Sequence, residues 1–193
     1  MVIGITGIYG AGKSAVVAML RKKGLPVISA DRLVYGILRR RAVRETLVKR
    51  FGSGILDERG RISRPKLGKE VFADTGRRKY LEGVVHPAVF EAIEKRIFDL
   101  RRKGCTIIPV EVPLLFETQS QHLFDKTVVV HADPGIIAER LKDIPRAEIA
   151  KRWRAQLPQD KKKALADFLI DNSGSYSHTR RQVEKILHTL KEQ

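Results

Sequence analysis

The chain has 193 residues, 42% of them hydrophobic and 31% charged, which suits a folded domain with a substantial core and argues against disorder. Its formal net charge of +16 favours a polyanionic ligand, either a nucleotide with a phosphorylated acceptor or nucleic acid, unless the basic residues simply cover solvated helices. We expect a cytoplasmic protein for three reasons. The chain has one cysteine, Cys105, it shows no charged leader, and it has no apolar run of the ~20 residues that span a membrane.

The first thirty residues predict a strand–helix–strand unit. Val2–Thr6 is expected to form a short buried strand, and a glycine-rich turn follows it. A helix is predicted over residues 14–23, with Gly24 as its C-terminal breaker. Residues 26–29 are predicted to form a second short strand. Because such a crossover pairs its strands in parallel, the pattern predicts an α/β fold.

The turn between strand and helix carries a phosphate-binding pattern. Residues 7–14 read Gly-Ile-Tyr-Gly-Ala-Gly-Lys-Ser, which matches G-x-x-x-x-G-K-[ST]. The inward N–H groups of such a loop and the following helix N-terminus bind phosphate. We expect Lys13 to contact the β- and γ-phosphates of ATP and Ser14 to bind Mg²⁺. The predicted nucleotide-binding residues are Gly10, Ala11, Gly12, Lys13, Ser14 and Ala15.

The middle of the chain differs in character from its start. Residues 33–85 are basic, have a helical pattern and offer no strong buried strand. Gly52, Gly54, Gly60 and Pro65 predict that the helices there are short. We therefore expect an insertion that packs beside the sheet.

The second half of the chain returns to alternating elements. The predicted strands are residues 106–110, with Cys105 at the start, 127–130 and 168–170. The predicted helices are residues 87–103, a segment that begins at Asp133-Pro134, and 179–190. Residues 142–164 are polar, basic and interrupted by prolines, which predicts a mobile lid.

Two acidic residues follow predicted strands. Asp31 comes just after the second strand, and Glu111 comes at the end of the third. In an open α/β sheet the carboxyl ends of the strands line the ligand crevice, so both are expected to face it. Asp31 is the candidate base, with a helix N-cap as the alternative. Glu111 is the candidate metal ligand, because an acid in an apolar strand is costly unless it is paired or metal-linked.

Five short segments carry the most specific pattern in the chain. They are ITGIYGAGKS at residues 5–14, PVISAD at 26–31, VHP at 85–87, EVPLLFE at 111–117 and IDNSG at 170–174. In this order and spacing they resemble the dephospho-CoA kinase family over essentially the whole length. The phosphate loop is common to many NTPases, whereas the His-Pro pair and the VPLLFE segment are more particular.

The resemblance implies a fold and a reaction. The fold is a P-loop NTPase three-layer α/β/α arrangement with a parallel five-stranded sheet, as a single domain over residues 1–193. Within it, residues 33–85 would form a helical substrate-binding insertion and 142–164 a lid. The reaction is transfer of the ATP γ-phosphate to the ribose 3′-hydroxyl of dephospho-CoA, the last step of CoA biosynthesis, with Mg²⁺.

The resemblance also implies roles for individual residues. The catalytic residues are Asp31, Lys13 and Arg140. The substrate-binding residues are Thr6, Asp31, Arg64, His86, Pro113 and Leu114, and the metal ligands are Ser14 and Glu111. Gln156 matches a lid glutamine. The alternatives are that His86 ends a helix, that Arg64 lies at the surface and that Trp153 packs in the lid instead of stacking on a base.

Two features depart from the family pattern. Ser29 stands where an aspartate is usual, which is expected to affect metal handling more than catalysis. The lid offers Lys161, Lys162 and Lys163 where an arginine is usual, and lysine lacks the bidentate guanidinium fork. In the phosphate loop itself, Tyr9 stands where a small or aliphatic residue is expected, and it is expected either to face substrate or to be inert.

Other functions stay open at this point. The chain suits a related nucleoside or nucleotide kinase, a non-catalytic relative or, from its charge, a nucleic-acid-binding NTPase. No RNA-binding motif is present, and aromatic residues, 6% of the chain, are too few for a stacking platform. We therefore expect small-molecule partners, ATP and dephospho-CoA, no nucleic acid, no membrane, and a monomer or weak homo-oligomer.

Overall fold

The computed structural model describes residues 1–72 and 74–192, which separate into two compact units. The first unit combines Met1–Ser29 with Asp99–Gln193, and the second is Ala30–Phe98. The assignment of a substrate-binding role to residues 33–85 and of lid motion to residues 142–164 stays a prediction. In the described part of the chain, no helix has the length and apolar character that crossing a membrane requires.

A parallel five-stranded sheet organises the first unit, in the order β2-β3-β1-β4-β5, and confirms the predicted fold class. The strands are β1 (Val2–Thr6), β2 (Ile28–Ser29), β3 (Ile108–Glu111), β4 (Lys126–His131) and β5 (Phe168–Asp171). Every residue of β1 is buried, as expected for the central strand of a sheet covered on both faces. All five carboxyl ends therefore lie at one edge of the sheet.

The α-helices of the described residues belong to both units. They are α1 (Lys13–Lys22), α2 (Ala30–Ile37), α3 (Arg41–Phe51), α4 (Arg64–Phe72), α5 (Thr75–Arg102), α6 (Pro134–Arg140), α7 (Arg146–Arg154), α8 (Gln159–Ala164) and α9 (Tyr176–Lys191). The predicted start at Asp133 is confirmed, since its carboxylate accepts a hydrogen bond from Gly135 N at 2.7 Å and Pro134 opens α6.

One face of the sheet packs against α1 and α9. The buried side chains of this core include Ile3, Ile5, Val16, Leu20, Val128, Val130, Ile170, Val183 and Leu187. On the other face, Gly4 leaves room for Leu115 and Phe124, whose side chains would lie within 2.9 Å of an added Cβ. This close packing fixes β1, and so fixes where the phosphate loop begins.

The third strand begins later in the structure than the sequence predicts. The third strand begins at Ile108, so Cys105 lies before the strand and not at its start. Its backbone N–H instead donates to Leu100 O at 3.1 Å, at the end of α5. Pro109 is tolerated inside β3 because the short strand β2 pairs only with Val110 and Glu111 on that side.

The prediction of only short helices in residues 33–85, followed by a helix starting at Pro87, is wrong. Helix α5 begins at Thr75 and runs for 28 residues with Pro87 inside it. Proline removes one backbone hydrogen bond and crowds the carbonyl four residues earlier, which here belongs to Gly83. Val85, Val89 and Ile93 are buried on both sides of Pro87, and this burial holds the helix together through the proline.

Candidate active site

The phosphate loop joins β1 to α1 and has the backbone geometry that its glycines predict. Gly10 and Gly12 have φ values of +93° and +89°, which side chains with a Cβ rarely adopt. A Cβ on Gly12 would lie 2.0 Å from Asn172 Nδ2, so this position accepts only glycine. The Lys13 ammonium donates to the carbonyl oxygens of Gly7 and Ile8 at 2.8 and 3.0 Å, and so lies over its own loop.

Asn172 and Arg140 hold the phosphate loop through hydrogen bonds to the carbonyl oxygen of Ala11. Asn172 Nδ2 donates to Ala11 O at 2.9 Å, and Asn172 Oδ1 accepts a hydrogen bond from Thr179 Oγ1 at 2.9 Å. Arg140 donates to Asn172 O at 2.7 Å and to Ala11 O at 3.4 Å. The guanidinium of Arg140 is thus fixed against the loop that would carry phosphate, by contacts from the end of α6.

The two predicted metal ligands lie at this same edge of the first unit. Glu111 ends β3, where its Cα partners are Ile5 of β1 and Ser29 of β2. Ser14 lies in the first turn of α1 with an exposed side chain. The described residues contain no cluster of three or more metal-binding side chains. One hydroxyl and one carboxylate suit Mg²⁺, which prefers oxygen ligands and keeps several waters or phosphate oxygens.

A buried polar network lies at the carboxyl end of β1. Thr6 Oγ1 donates to Pro113 O at 3.1 Å, and Lys162 Nζ donates to the same oxygen at 3.0 Å. Lys162 Nζ also lies 2.9 Å from Glu117 Oε1, and the lysine has no exposed surface. Burial lowers the pKa of the Lys162 ammonium, although the hydrogen bond and charge of Glu117 oppose this shift.

The network also includes the residues that join α7 to α8. Leu157 N donates to Glu117 Oε1 at 2.6 Å, and Gln156 Nε2 donates to Pro113 O at 3.4 Å. Pro113 and Thr6 were predicted to bind substrate, and both have polar atoms engaged inside the protein. Their contact with substrate, like that of Leu114, stays a prediction. The network attaches residues 156–162 to the sheet edge.

Helix α7 and the residues just after it contact the phosphate loop at Tyr9. Gln156 Oε1 accepts a hydrogen bond from Tyr9 N at 2.8 Å, and Trp153 Nε1 donates to Tyr9 O at 3.1 Å. The guanidinium carbon of Arg152 lies 4.3 Å from the centre of the Tyr9 ring. These contacts engage both the backbone and the ring of Tyr9, and a contact of Tyr9 with substrate stays a prediction.

A cavity of about 370 Å³ lies beside these contacts. Its lining is mainly apolar and includes Ile8, Ile137, Trp153 and Pro158. The volume falls within the range of small-molecule sites. Residues of the predicted lid therefore cover open space next to the phosphate loop.

The remaining predicted site residues belong to the second unit. Asp31 is exposed and lies inside the first turn of α2, one residue after its start, where the helix dipole favours a carboxylate. Arg64 stacks its guanidinium on Tyr35, 4.3 Å from the ring centre. The half-buried His86 ring contacts Phe90, with 6.2 Å between the ring centres, inside α5. Joint action of these residues with the phosphate loop stays a prediction.

A family model for dephospho-CoA kinase matches residues 1–178. The chain belongs to the dephospho-CoA kinase family. A curated dephospho-CoA kinase from Aquifex aeolicus is 39% identical over 191 residues, which cover 97% of this chain and 96% of that protein. Family membership supports phosphorylation of dephospho-CoA in CoA biosynthesis and does not favour the nucleoside-kinase or nucleic-acid alternatives.

Solved structures agree with this assignment. TT1252 from Thermus thermophilus superposes with a TM-score of 0.85 at 33% identity, covering 98% of this chain and 96% of that one. A dephospho-CoA kinase from Campylobacter jejuni gives a TM-score of 0.74 at 25% identity, with 99% and 97% coverage. The kinase fold of the family thus extends along nearly all of this chain.

Sequence reasoning missed the contacts of three residues that shape the site. Glu117 and Asn172 lie inside the family segments, but nothing in their spacing shows that one binds Lys162 and the other binds the phosphate loop. Lys162 is one of three consecutive lysines, and only the fold shows that its side chain turns inward. A signal did exist for Glu117, since an acid next to a run of apolar residues requires a partner.

Proposed function

We propose that this chain transfers the γ-phosphate of ATP to the ribose 3′-hydroxyl of dephospho-CoA, which yields CoA. The observation that carries the proposal is the phosphate loop of residues 7–14, held in place by Arg140 and Asn172, in a chain that the family model covers from residue 1 to 178. This arrangement supports a phosphoryl transfer in which positioning and charge stabilisation do most of the work.

The phosphate side of the reaction uses the first unit. The loop amides and the N-terminus of α1 bind the phosphates, and Lys13 exchanges its contacts with Gly7 and Ile8 for the β- and γ-phosphate oxygens. Ser14 and Glu111 would hold Mg²⁺, which supplies positive charge to the phosphate oxygens. Arg140, fixed on the Ala11 carbonyl, adds a second cation beside the loop.

The acceptor side uses the second unit and the sheet edge. Asp31 accepts the proton of the 3′-hydroxyl as that oxygen attacks phosphorus. Arg64 and His86 bind the acceptor, with Thr6, Pro113 and Leu114 at the sheet edge. Residues 142–164 act as a lid that keeps water from the transferred phosphoryl group.

The proposed place of action is the cytoplasm. Cys105 is a free cysteine, in agreement with a reducing cytoplasm as the place of action. Small molecules are the proposed partners, and the chain is proposed to work as a monomer or weak homo-oligomer without nucleic acid.

An acceptor panel tests the proposal. ADP release from ATP and Mg²⁺ would be measured alone and with dephospho-CoA, AMP, adenosine or cytidine. Of the four acceptors, we expect only dephospho-CoA to stimulate ADP release, with CoA as the product. Equal or greater stimulation by a nucleoside would favour a nucleoside kinase, and ATP binding without any stimulation would indicate a non-catalytic relative.

A further inference from the structure

Tyr9 contacts three side chains, two from the end of α7 and one from Gln156 just after it. Its peptide N–H donates to Gln156 and its carbonyl accepts from Trp153, at 2.8 and 3.1 Å. Its ring lies 4.3 Å from the Arg152 guanidinium carbon. Arg152 is itself held by Glu148, to which it donates at 2.7 Å. We call Tyr9, Arg152, Trp153 and Gln156 the lid clasp.

The clasp is important because α7 has no fully buried side chain. No residue of α7, all of which the structure describes, is buried. Ile149 is partly buried and packs against the cluster of Ala132, Ile137 and Leu141. Helices in folded proteins are normally stabilised by a buried apolar face, so contacts of exposed side chains, such as those of the clasp, contribute more to the position of α7.

The two ends of the lid are held in different ways. Residues 156–162 are attached to the sheet edge by the buried ion pair of Lys162 with Glu117 and by the Leu157 hydrogen bond. Helix α7 lies beyond this attachment and is held at the phosphate loop by partly exposed side chains; Trp153, for example, is 42% exposed. Opening of the lid therefore requires loss of the clasp but not of the ion pair.

We propose that Tyr9 is a positioning residue that couples the phosphate loop to the lid through this clasp. The inference rests on the proposed function. The two backbone hydrogen bonds of Tyr9 are open to any residue at this position except proline, but the stack with Arg152 requires an aromatic ring. A phosphate loop that changes shape on binding ATP moves Tyr9, and Tyr9 moves α7 with it.

The consequence for the reaction is control of water. With the clasp closed, α7 covers the phosphate loop, and phosphoryl transfer goes to the acceptor hydroxyl. Without the Tyr9 ring, α7 leaves the loop more often, and water competes with the acceptor. The ratio of ATP hydrolysis to transfer is thus the property that the clasp sets.

The chain contains its own reporter. Trp153 is the one tryptophan, so the intrinsic tryptophan fluorescence comes entirely from the clasp. We would compare Tyr9→Phe, Tyr9→Ala and Arg152→Gln, with Arg154→Gln as the control, because Arg154 is an exposed arginine of the same helix. Emission would be recorded with and without Mg·ADP, and tryptic cleavage within α7 would be compared for the two Tyr9 variants. ATP hydrolysis without acceptor and CoA formation would be measured separately.

We expect Tyr9→Phe and Arg154→Gln to behave as the parent. Tyr9→Ala and Arg152→Gln should shift the emission to the red, and Tyr9→Ala should also speed tryptic cleavage. Both should raise the ratio of hydrolysis to transfer by about three- to tenfold, the value of one cation–π contact. The variant that combines Tyr9→Ala with Arg152→Gln should have the same ratio of hydrolysis to transfer as Tyr9→Ala alone.

Two results would contradict the proposal that Tyr9 couples the phosphate loop to the lid. One is a Tyr9→Ala variant with the emission, cleavage and hydrolysis ratio of Tyr9→Phe; the other is an Arg152→Gln variant that matches Arg154→Gln. Emission and cleavage with Mg·ADP do not depend on the acceptor. If dephospho-CoA failed to stimulate ADP release, the proposed function would be contradicted. The emission and cleavage measurements would still test the clasp.

Discussion

Lys162 and Glu117 form an ion pair with 2.9 Å between Nζ and Oε1, and the Lys162 side chain has no exposed surface. A buried charge of this kind is tolerated only when its partner and its hydrogen bonds are in place. The pair links α8, which follows the phosphate loop by more than a hundred residues, to the segment after β3. It thereby fixes the base of the lid at the edge where catalysis is proposed.

Removal of one partner should therefore destabilise the fold. Glu117→Gln leaves the Lys162 ammonium buried without its counter-charge, and we expect a loss of about 3 kcal/mol in the free energy of unfolding. Urea unfolding would measure it. Lys161→Met, a change at an exposed neighbour, is the control and should stay within about 0.5 kcal/mol of the parent. A Glu117→Gln variant as stable as this control would show that the pair does not support the fold.

Substitution of Gly12 should abolish nucleotide binding. The Cβ of Gly12→Ala would lie 2.0 Å from Asn172 Nδ2 and would displace the asparagine from the Ala11 carbonyl. Isothermal titration with Mg·ATP would measure the loss. Gly36→Ala is the matched control, because Gly36 lies in α2 with nothing within 4 Å of an added Cβ. Retention of ATP affinity by Gly12→Ala would contradict the account of the loop.

The pattern of glycines and the strand–turn–helix context were enough to predict the phosphate loop, because the loop depends on short-range backbone preferences. The five-stranded sheet was predicted from the family resemblance, since its central strand β1 pairs with residues more than a hundred positions away. The path of α5 through Pro87 was not predictable in this way, since burial of Val85 and Val89 outweighs a local breaker. The inward turn of Lys162 and the clasp on Tyr9 depend on contacts between residues over 40 positions apart. A single sequence gives no signal for such pairs.

Asp31→Asn tests the proposed base. The amide keeps the size of the side chain but does not accept a proton, so we expect the turnover number to fall by about 100-fold or more. The affinity for ATP should be nearly unchanged, because the nucleotide is proposed to bind in the other unit. Glu58→Gln changes an exposed acid of the same unit and should leave turnover intact. An Asp31→Asn variant with parental turnover would remove Asp31 from the mechanism.

The stability of the fold should decrease on mild acidification because of His131. Burial lowers the pKa of His131 below its ordinary value of 6.5 and outweighs the attraction of Asp171, whose carboxylate lies 4.0 Å away. The unfolded chain therefore binds the proton more readily than the folded chain. The contribution of the neutral imidazole is complete above pH 6.5 and is lost as the pH falls below it.

Asp171 titrates in a separate range. Hydrogen bonds from the Ser173 hydroxyl and N–H lower the pKa of Asp171 below 3.8, so its contribution is present above that value and is lost only at lower pH. Between pH 4.5 and 6.5 the comparison of parent and His131→Gln should thus isolate the histidine. We expect the melting temperature of His131→Gln to fall less over this range than that of the parent or of His122→Gln. Parallel curves for all three proteins would contradict the assignment.

The central claim is phosphoryl transfer to the 3′-hydroxyl of dephospho-CoA. The most direct measurement incubates the chain with γ-labelled ATP, Mg²⁺ and dephospho-CoA, and follows the label in CoA and in inorganic phosphate. We predict that the label appears in the 3′-phosphate of CoA, and that it does not do so when dephospho-CoA is replaced by its 3′-deoxy analogue. Label released only as inorganic phosphate, or transferred equally well to the 3′-deoxy analogue, would contradict the account.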